Sequence, residues 1–330
     1  MSRETVLSLL LAHPGEYLSG AAMSRTLGVS RAAVWKAIEA LRQEGYEITS
    51  APNRGYRLES APDRVREGEL SGHLAGCLVG SRLLCLDTID STNTEAKRQA
   101  MAGAPEGLVV LAEEQTGGRG RRGRSFVSPA GQGLYLSVLL RPRCPLEEVS
   151  TLTAWTAVAV CNAVERVCGV RPGIKWPNDV ILDGRKLCGI LTELELEAET
   201  AALRHVVVGV GINLTQTAAD FGPEVAPVAV SLAQALGRAP RRAEMAAAVL
   251  AALDELYAAF PAERAAWLER YRADCLTLGR TVRLLRAGGE EEAFAEAVDD
   301  TFALVVRRAN GSREAVSSGE VSVRGLLGYV

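Results

Sequence analysis

The sequence predicts an α+β protein in three parts, and a separate observation supports each part. Residues 1–62 carry the apolar spacing of three helices followed by a hairpin. Residues 63–276 alternate apolar, strand-like runs with helical stretches, which favours a mixed β-sheet backed by helices. Residues 277–330 contain short strands separated by Gly-Gly and Asn-Gly turns, which indicate a small all-β domain. We therefore predict these three ranges as the domains of the chain.

The first part is predicted to be a winged helix-turn-helix. Ser19 and Ser30 are placed to cap the second and third helices, and Gly28 lies in the tight turn between them. Two alternating stretches, residues 46–50 and 55–59, flank a Pro-Asn-Arg-Gly turn and predict the hairpin of the wing. A small helical domain that binds another protein is the alternative interpretation of this outline.

Basic side chains favour DNA as the partner of this domain. Arg31 and Lys36 fall in the first turns of the third helix, which would be the recognition helix, and Arg54 lies at the tip of the wing. Residues at these places contact base edges and phosphates in helix-turn-helix proteins. The whole chain has a net charge of −3, so DNA binding has to come from this local patch.

The composition is that of a globular chain, which we expect in the cytoplasm. Hydrophobic residues make up 48% and charged residues 23% of the sequence. The seven cysteines include no Cys-x-x-Cys pair, which is typical of reduced thiols. The first apolar run contains Arg3 and Glu4 and is interrupted by Pro14, so it does not predict a signal peptide. No apolar stretch is long enough to span a membrane, so we expect no membrane partner.

The densest sequence signal is the run Glu114–Arg124, which reads EQTGGRGRRGR. Its glycines allow the backbone to approach a ligand, and its arginines offer donors to carboxylate and phosphate groups. The run also satisfies the Gly-x-Gly-x-x-Gly pattern of dinucleotide-binding folds. That interpretation is disfavoured, because the spacers are arginines and a strand follows where a helix is needed. A flexible basic loop that touches nucleic acid is the other alternative.

Three shorter motifs carry polar side chains that suit a binding site. Lys175–Asp179 reads KWPND, and Asp179 is suited to hold Mg²⁺ or to orient a basic partner. Lys186, in RKLCGI, precedes an apolar strand and is either a cation that points into a pocket or a surface charge. Asp90–Thr94 reads DSTNT and offers hydroxyl and amide groups, although a simple helix N-cap also explains it.

Taken in order behind a winged helix, the motifs DSTN, GGRGRRGR, KWPNDV, RKLCGI and GVGINL resemble those of the bifunctional biotin–protein ligases that are also biotin operon repressors. The resemblance implies a central mixed sheet related to lipoate ligases and a C-terminal SH3-like barrel. It implies an enzyme that uses ATP and Mg²⁺ to convert biotin to biotinyl-5′-AMP. The biotinyl group is then transferred to a lysine of a biotin carboxyl carrier protein, in acetyl-CoA carboxylase or a related carboxylase. Operator DNA and a ligand-promoted homodimer are the further implied partners.

The resemblance also implies roles for individual residues. The implied biotin-binding residues are Ser91, Thr92, Gln115, Gly118, Arg119, Gly120 and Lys186. The implied nucleotide-binding residues are Arg121, Asn178, Asn213 and Arg324, with Asp179 as the Mg²⁺ residue. Of all these, the implied catalytic residues are Arg119, Arg121, Lys186 and Asp179. The chain departs from the family in the segment 227–235, which lacks the tryptophan that stacks on adenine.

The residue types in the motifs agree with catalysis by positioning. A substrate carboxylate that attacks the α-phosphorus of ATP is itself the nucleophile, so the protein has to supply cations and orientation. None of the three histidines, His13, His73 and His205, lies in a motif, which argues against acid–base hydrolysis. We expect the arginine-rich loop to close over the ligand and keep water out. A lipoate ligase and a non-catalytic regulator that senses a ligand are the alternatives.

Overall fold

The computed structural model describes residues 3–286, 289–317 and 322–325, the last four by their backbone only. The helices in these ranges are α1 Arg3–Leu11, α2 Gly20–Leu27, α3 Arg31–Gln43, α4 Glu67–Leu70, α5 Thr92–Met101, α6 Leu146–Ser150, α7 Leu152–Cys168, α8 Ala218–Val225, α9 Leu232–Leu236, α10 Arg242–Ala259 and α11 Arg264–Asp274. The strands are β1 Glu47–Ala51, β2 Gly55–Ser60, β3 Arg82–Ile89, β4 Leu108–Gln115, β5 Gly133–Leu140, β6 Gly173–Lys175, β7 Asp179–Leu182, β8 Arg185–Leu196, β9 Leu203–Asn213, β10 Thr281–Arg286, β11 Gly289–Val298, β12 Leu304–Arg307, β13 Arg313–Val316 and β14 Ser322–Gly325. Among the described helices, none combines the length and the apolar character that a membrane span requires.

The predicted winged helix-turn-helix is confirmed in its helices and caps. The Ser19 hydroxyl accepts a hydrogen bond from the Ala22 N–H at 3.0 Å and caps α2, and Ser30 caps α3 in the same way. Gly28 ends α2 with a φ of 66°, in the left-handed region that favours glycine. Strands β1 and β2 pair antiparallel and form the wing. The local sequence signals therefore define this domain correctly.

The wing is fixed to the helices by a short bridge between Leu18 and Tyr56. The two residues exchange backbone hydrogen bonds of 2.8 and 2.9 Å. Gly55 lies beside this bridge, and a Cβ added to it would stand 2.0 Å from the Leu18 carbonyl oxygen. Position 55 therefore requires glycine, and the wing and the start of α2 move as one unit.

The segment 61–70, whose polar residues and proline suggest a linker, is packed between the winged helix and the central sheet. It contains the short helix α4, with Arg66 only 5% exposed and Leu70 fully buried. Glu69 is also buried and accepts a hydrogen bond of 3.0 Å from the Tyr46 hydroxyl of the winged helix. The segment that links the two domains is therefore an ordered junction, because its charged side chains find partners on both sides.

The central part contains the predicted mixed sheet, which has seven strands in the order β3-β4-β5-β9-β8-β7-β6. Strands β3 and β4 are parallel, and the remaining neighbours are antiparallel. Helices α7, α10 and α11 pack on one face over the main hydrophobic core. Helix α5 covers part of the opposite face, above a smaller core that includes Ala96, Leu108 and Val207.

The C-terminal strands form a five-stranded antiparallel sheet in the order β13-β12-β11-β10-β14, which confirms the predicted small all-β domain. Trp176 of the KWPND motif joins this domain to the central sheet. Its backbone N–H donates to the Thr277 hydroxyl at 2.9 Å, and its indole N–H donates to the Phe302 carbonyl at 3.0 Å. Trp176 therefore joins the two domains, and the residues that follow it in the motif remain available for a binding site.

Candidate active site

A pocket opens on the α5 face of the sheet, beneath the arginine-rich loop, which we define as residues 117–124. Its walls come from segments that lie far apart in the sequence: Ser91, Thr92, Asn93, Gln115, Arg119, Gly120, Arg121, Phe126, Leu136, Asn178, Lys186, Gly189, Ile190, Leu191, Gly209, Val210 and Gly211. The fold thus brings together most of the residues that the motifs single out.

Gln115 is held in one orientation at the polar end of the pocket. Its side-chain oxygen accepts a hydrogen bond of 2.9 Å from the Thr92 N–H, and its Nε2 donates to the Ser128 hydroxyl at 2.8 Å. These bonds fix the orientation of the Gln115 amide group, and they use one of the two Nε2 hydrogens. The other hydrogen suits an acceptor such as a ligand carbonyl oxygen.

The Thr92 hydroxyl is oriented by a buried polar chain. Ser137 Oγ lies 2.8 Å from Thr92 Oγ1 and 2.6 Å from Asn93 Oδ1, and all three residues are less than 5% exposed. Asn93 Nδ2 donates to the Glu193 carboxylate at 2.8 Å, so Asn93 Oδ1 must be the acceptor from Ser137. The Ser137 hydroxyl also faces Thr92 Oγ1, and the Thr92 hydroxyl donates its own proton to Gln115 Oε1 at 3.1 Å. The Thr92 oxygen thereby keeps a lone pair for a ligand N–H.

Glu193 anchors the far end of this chain as a carboxylate. Burial alone would raise the pKa of Glu193, but hydrogen bonds from Lys97 and Asn93 lower it on balance. The Lys97 ammonium lies 2.5 Å from one carboxylate oxygen, and Arg119 lies 3.5 Å from the same oxygen. A charged Glu193 keeps the Asn93 amide, and through it Ser137 and Thr92, in a single arrangement.

Glycines form the floor of the pocket. Successive residues of a strand face opposite sides of a sheet, and on β9 the α5 side carries Val207, Gly209 and Gly211. Gly211 pairs with Gly189 of β8, and the Phe126 ring rests on both. A Cβ added to Gly211 would stand 2.6 Å from that ring. The missing side chains make room for the Phe126 ring, which presents an apolar wall to the pocket.

Cations line the other end of the pocket. The Lys186 ammonium lies 2.6 Å from Asp179 Oδ1, and the Arg121 guanidinium donates to the side-chain oxygen Oδ1 of Asn178 at 2.8 Å. Burial lowers the pKa of the Arg121 guanidinium, and the Asp179 carboxylate partly offsets this effect. An arginine remains protonated under such conditions, so this end of the pocket is positively charged. It suits a carboxylate or a phosphate.

The arginine-rich loop lies over the pocket and is tied at its base. Its first glycines pack closely: a Cβ added to Gly118 would stand 2.3 Å from the Phe126 carbonyl oxygen. The Phe126 N–H donates to the Gly118 carbonyl at 2.9 Å, and the Gly120 N–H donates to the Arg124 carbonyl at 2.7 Å. Gly118 therefore shapes the loop from outside the pocket lining, whereas Arg119, Gly120 and Arg121 face the pocket.

Besides Gly118, three further predicted residues lie outside the pocket lining. Asp179 reaches the pocket through its ion pair with Lys186. The Asn213 amide donates to the carbonyls of Lys186 and Val230, at 3.3 and 3.2 Å. The side chain of Arg324 lies outside the described residues, although its backbone pairs with Arg283. The nucleotide-binding roles of Asn213 and Arg324 stay predictions.

The segment 227–235, which contains no tryptophan, forms backbone hydrogen bonds with Lys186. The Lys186 N–H donates to the Val228 carbonyl at 2.8 Å, and the Val230 N–H donates to the Lys186 carbonyl at 2.9 Å. Asn213 holds the same segment through the Val230 carbonyl. The backbone on both sides of Lys186 is therefore fixed, although the segment carries small aliphatic side chains here.

Several site residues were missed by sequence reasoning. They are Asn93, Phe126, Ser128, Ser137, Glu193, Gly209 and Gly211. Asn93 belongs to the DSTNT motif, Gly209 and Gly211 belong to GVGINL, and Phe126 lies two positions after the arginine-rich loop, so their places in the sequence could have indicated them. Ser137, by contrast, lies inside an apolar strand and has the appearance of an ordinary small core residue.

The site has no ready-made metal cluster or activated thiol. Among the described residues, no group of three or more His, Cys, Asp or Glu side chains converges on one point. Burial raises the pKa of the Cys188 thiol in the RKLCGI motif well above its usual range, so it is not a thiolate nucleophile. The side chains of this pocket supply binding and orientation through cations and hydrogen bonds.

A second candidate site lies on the winged helix, between α3 and the wing. This wing groove is lined by Ser19, Gly20, Ala21, Arg31, Trp35, Arg42, Ser50, Ala51, Pro52, Asn53, Gly55 and Tyr56. Of the predicted DNA-binding residues, Arg31 lines the groove and Lys36 is exposed outside it. The Arg54 guanidinium stacks on the Tyr17 ring, 4.2 Å from its centroid, beside the groove.

Comparison with known proteins connects these two sites to three family models. Residues 85–213, which include most of the pocket, match the biotin/lipoate A/B protein ligase family. Residues 2–57 match an HTH domain, and residues 277–324 match the biotin protein ligase C-terminal domain. The matched ranges follow the three parts of the fold in the same order.

Relatives match along nearly the whole chain. The bifunctional ligase/repressor BirA of Bacillus subtilis is 36% identical over 321 residues, which cover 96% of this chain and 97% of the relative. The bifunctional ligase/repressor BirA of Escherichia coli is 31% identical over 319 residues, with 96% of each chain covered. The solved structure of a biotin protein ligase from Aquifex aeolicus in complex with biotin and ATP has a TM-score of 0.62 and 28% identity, and it covers 74% of this chain and 99% of that chain. This chain therefore belongs to the family of bifunctional biotin ligases and repressors.

Proposed function

We propose that the pocket binds biotin and ATP, forms biotinyl-5′-AMP, and passes the biotinyl group to a lysine of a biotin carboxyl carrier protein. The observation that carries this proposal is the division of one pocket into two ends. Neutral donors and acceptors of Thr92 and Gln115 lie at one end, and the cations Arg121 and Lys186 lie at the other. Biotin has the same division, with a neutral ureido ring at one end and a carboxylate at the other.

The ureido ring fits the polar end by hydrogen-bond complementarity. Its carbonyl oxygen needs a donor, which Gln115 Nε2 offers, and its N–H groups need acceptors such as the Thr92 oxygen. The fused rings of biotin then pack against Phe126, whose ring rests on Gly189 and Gly211. A lipoyl group has no ureido ring, and it would leave these buried polar groups without partners, which is costly. The pocket therefore favours biotin over lipoate.

In the first step the biotin carboxylate attacks the α-phosphorus of ATP. A new carbon–oxygen–phosphorus linkage forms, and the bond from the α-phosphorus to the leaving pyrophosphate breaks. Carboxylate and triphosphate repel each other, so the barrier falls when cations stand between them. Lys186 and Arg121 are placed to do this, and Arg119 supplies a further guanidinium at the mouth of the pocket. No protein nucleophile is needed.

In the second step the neutral ε-amine of the acceptor lysine attacks the carbonyl carbon of the mixed anhydride. The amide bond forms, the bond to AMP breaks, and the amine loses a proton to solvent. Water can attack the same carbon, so the adenylate has to stay covered until the acceptor arrives. The arginine-rich loop, which lies over the pocket with Arg119 and Arg121 facing inward, is suited to that task.

Asp179 is suited to hold Mg²⁺ together with the phosphates of ATP. Magnesium in nucleotide sites commonly takes one or two protein carboxylates and completes its shell with phosphate oxygens and water. Asp179 is a single carboxylate at the cationic end, with 15% of its side chain exposed, and it fits this mode. When bound, the metal would neutralise phosphate charge. Lys186 would then be released from Asp179 for the substrate carboxylate.

The proposed reaction is tested by biotin-dependent exchange of labelled pyrophosphate into ATP. The expected result is exchange that requires biotin and ATP and is much weaker when lipoate replaces biotin. Exchange driven equally by lipoate would contradict the assignment of the polar end, and no exchange with either acid would indicate a non-catalytic regulator.

Replacing Gln115 by glutamate should weaken biotin binding about tenfold to a hundredfold. The change keeps the shape of the side chain but replaces the Nε2 donor with an oxygen that repels the ureido carbonyl. Isothermal titration of biotin into the chain without ATP measures the effect. Glu114→Gln, the neighbouring position on β4, is the matched control and should change the affinity by less than about twofold. Similar weakening in both variants would show that the strand, and not the amide, is responsible.

We also propose that the adenylate promotes dimerisation, which places two winged helices on two half-sites of an operator. The support is the presence of a DNA-binding head and a ligase pocket in one chain, together with the twofold symmetry of most helix-turn-helix sites. Sedimentation velocity should show a shift from monomer to dimer when both biotin and ATP are added. An unchanged distribution would remove the dimer from the proposal.

A further inference from the structure

Trp35 is a residue of the wing groove that the DNA-binding prediction did not use. It lies in α3, four positions after Arg31, and 54% of its surface is exposed. Tryptophan is large and apolar, so folded proteins cover most of it. The other three tryptophans of the chain, Trp155, Trp176 and Trp267, are at most 7% exposed. The exposure of Trp35 is therefore an exception within this molecule.

The side chain of Trp35 faces the groove and is not needed for the core of the winged helix. That core takes Val34, Ile38 and Leu41 from the opposite side of α3. Arg42 also lines the groove, but it donates to the Ile48 carbonyl at 2.9 Å and braces the wing. Trp35 thus remains as a large apolar surface with room above it.

The charge of the groove indicates an anionic partner. Its lining includes Arg31 and Arg42 and no acidic residue. Two acidic side chains of the same domain are already paired, Glu39 with Arg42 and Glu59 with Arg57. A groove that is basic at its edges and carries an aromatic ring suits a DNA duplex, whose major groove is about 12 Å wide and admits an α-helix.

We propose that Trp35 is a sequence-reading residue, whose indole packs against the 5-methyl groups of thymines in the major groove. Arg31 and Arg54 would contact the flanking phosphates. Thymine methyl groups are the apolar feature that base pairs present in that groove, so an aromatic side chain there favours sites rich in suitably placed thymines. This inference rests on the DNA binding proposed above and adds to it a residue and a base preference.

The test uses a duplex that the wild-type chain, incubated with biotin and ATP, enriches from a random-sequence pool. Each thymine of the duplex is replaced in turn by uracil, which removes only the 5-methyl group. At one or two positions we expect the wild-type affinity to fall about fourfold, the effect of exposing one methyl-sized group. Trp35→Ala should bind more weakly and should no longer respond to uracil at those positions.

Lys36→Ala is the matched control, because Lys36 is exposed on α3 next to Trp35 but lies outside the groove lining. It should weaken binding to all duplexes to a similar degree and keep the uracil effect, as expected of a phosphate contact. Folding of each variant is checked by thermal unfolding. A uracil effect that persists unchanged in Trp35→Ala would overturn the proposal.

Fluorescence gives a second, independent readout, because Trp35 is the exposed tryptophan. Addition of the enriched duplex should reduce acrylamide quenching of the wild-type chain and leave Trp35→Phe unchanged. Quenching that the duplex does not alter would also overturn the proposal. If no duplex is enriched by a chain that still exchanges pyrophosphate, both this inference and the proposed DNA binding fail, while the proposed ligation stands.

Discussion

Replacing Lys186 by alanine is expected to lower the rate of biotin-dependent pyrophosphate exchange by about a thousandfold. Loss of one preorganised donor to a developing charge costs about 10²- to 10³-fold in other enzymes. Here the loss also leaves the Asp179 carboxylate, 2.6 Å from the Lys186 ammonium, without that cation at the cationic end of the pocket. The substrate carboxylate would then meet a negative charge where it now meets a positive one.

Two further variants separate these causes. The double variant Lys186→Ala, Asp179→Asn also removes the negative charge of Asp179. We expect this double variant to recover only a small part of the rate. Arg185→Ala, one position earlier in β8, is the matched control. Arg185 pairs with the exposed Asp183 and lies outside the pocket lining. A large loss in Arg185→Ala, or full recovery in the double variant, would contradict a direct role of Lys186 at the substrate.

Replacing Arg121 by glycine is expected to release the adenylate about a hundredfold faster than the parent chain does. The Arg121 guanidinium donates to the side-chain oxygen Oδ1 of Asn178 at 2.8 Å and so ties the arginine-rich loop to the KWPND motif across the pocket. Glycine removes this tie and the positive charge near the phosphate, and it also frees the backbone. Release is measured by trapping free biotinyl-5′-AMP from preloaded protein.

The neighbouring arginine separates the side chain of Arg121 from the flexibility of the loop. Arg122 is exposed and has a φ of 57°, a left-handed conformation that glycine adopts readily. Arg122→Gly should therefore retain the adenylate as the parent does. Equal retention by Arg121→Gly and the parent would exclude the proposed tie, and equally fast release from both variants would assign the effect to the backbone.

The elements with local signals were predictable from the sequence. Ser19 and Ser30 cap N–H groups within the next turn, and Gly28 ends α2 through its own backbone conformation. The residue and the structure that it determines are therefore close together in the sequence. The mixed sheet followed from the length and spacing of its apolar runs. The packing of the segment 61–70 could not be predicted for the opposite reason, since Glu69 and Arg66 are buried by partners from other parts of the chain.

The motifs located the side chains at both ends of the pocket better than its floor and the buried polar chain that orients Thr92. Lys186 and Arg121 are charged residues in short motifs that also contain glycine, and such motifs are easily recognised in a sequence. Gly209 and Gly211 become a floor only because β9 pairs in one register with β8 and faces α5. The chain from Glu193 to Asn93 joins residues 100 positions apart. Such contacts depend on register and topology, which a single sequence does not state.

The intact mass of a biotin carboxyl carrier domain, measured after incubation with the chain, ATP, Mg²⁺ and biotin, tests the proposed function most directly. We expect the carrier to gain one biotinyl group, only when both biotin and ATP are present. The gain should be absent when the acceptor lysine is replaced by arginine and nearly absent with the Lys186→Ala variant. A carrier that stays unmodified with the wild-type chain, or that gains a lipoyl group in preference, would contradict the assignment of this pocket to biotin ligation.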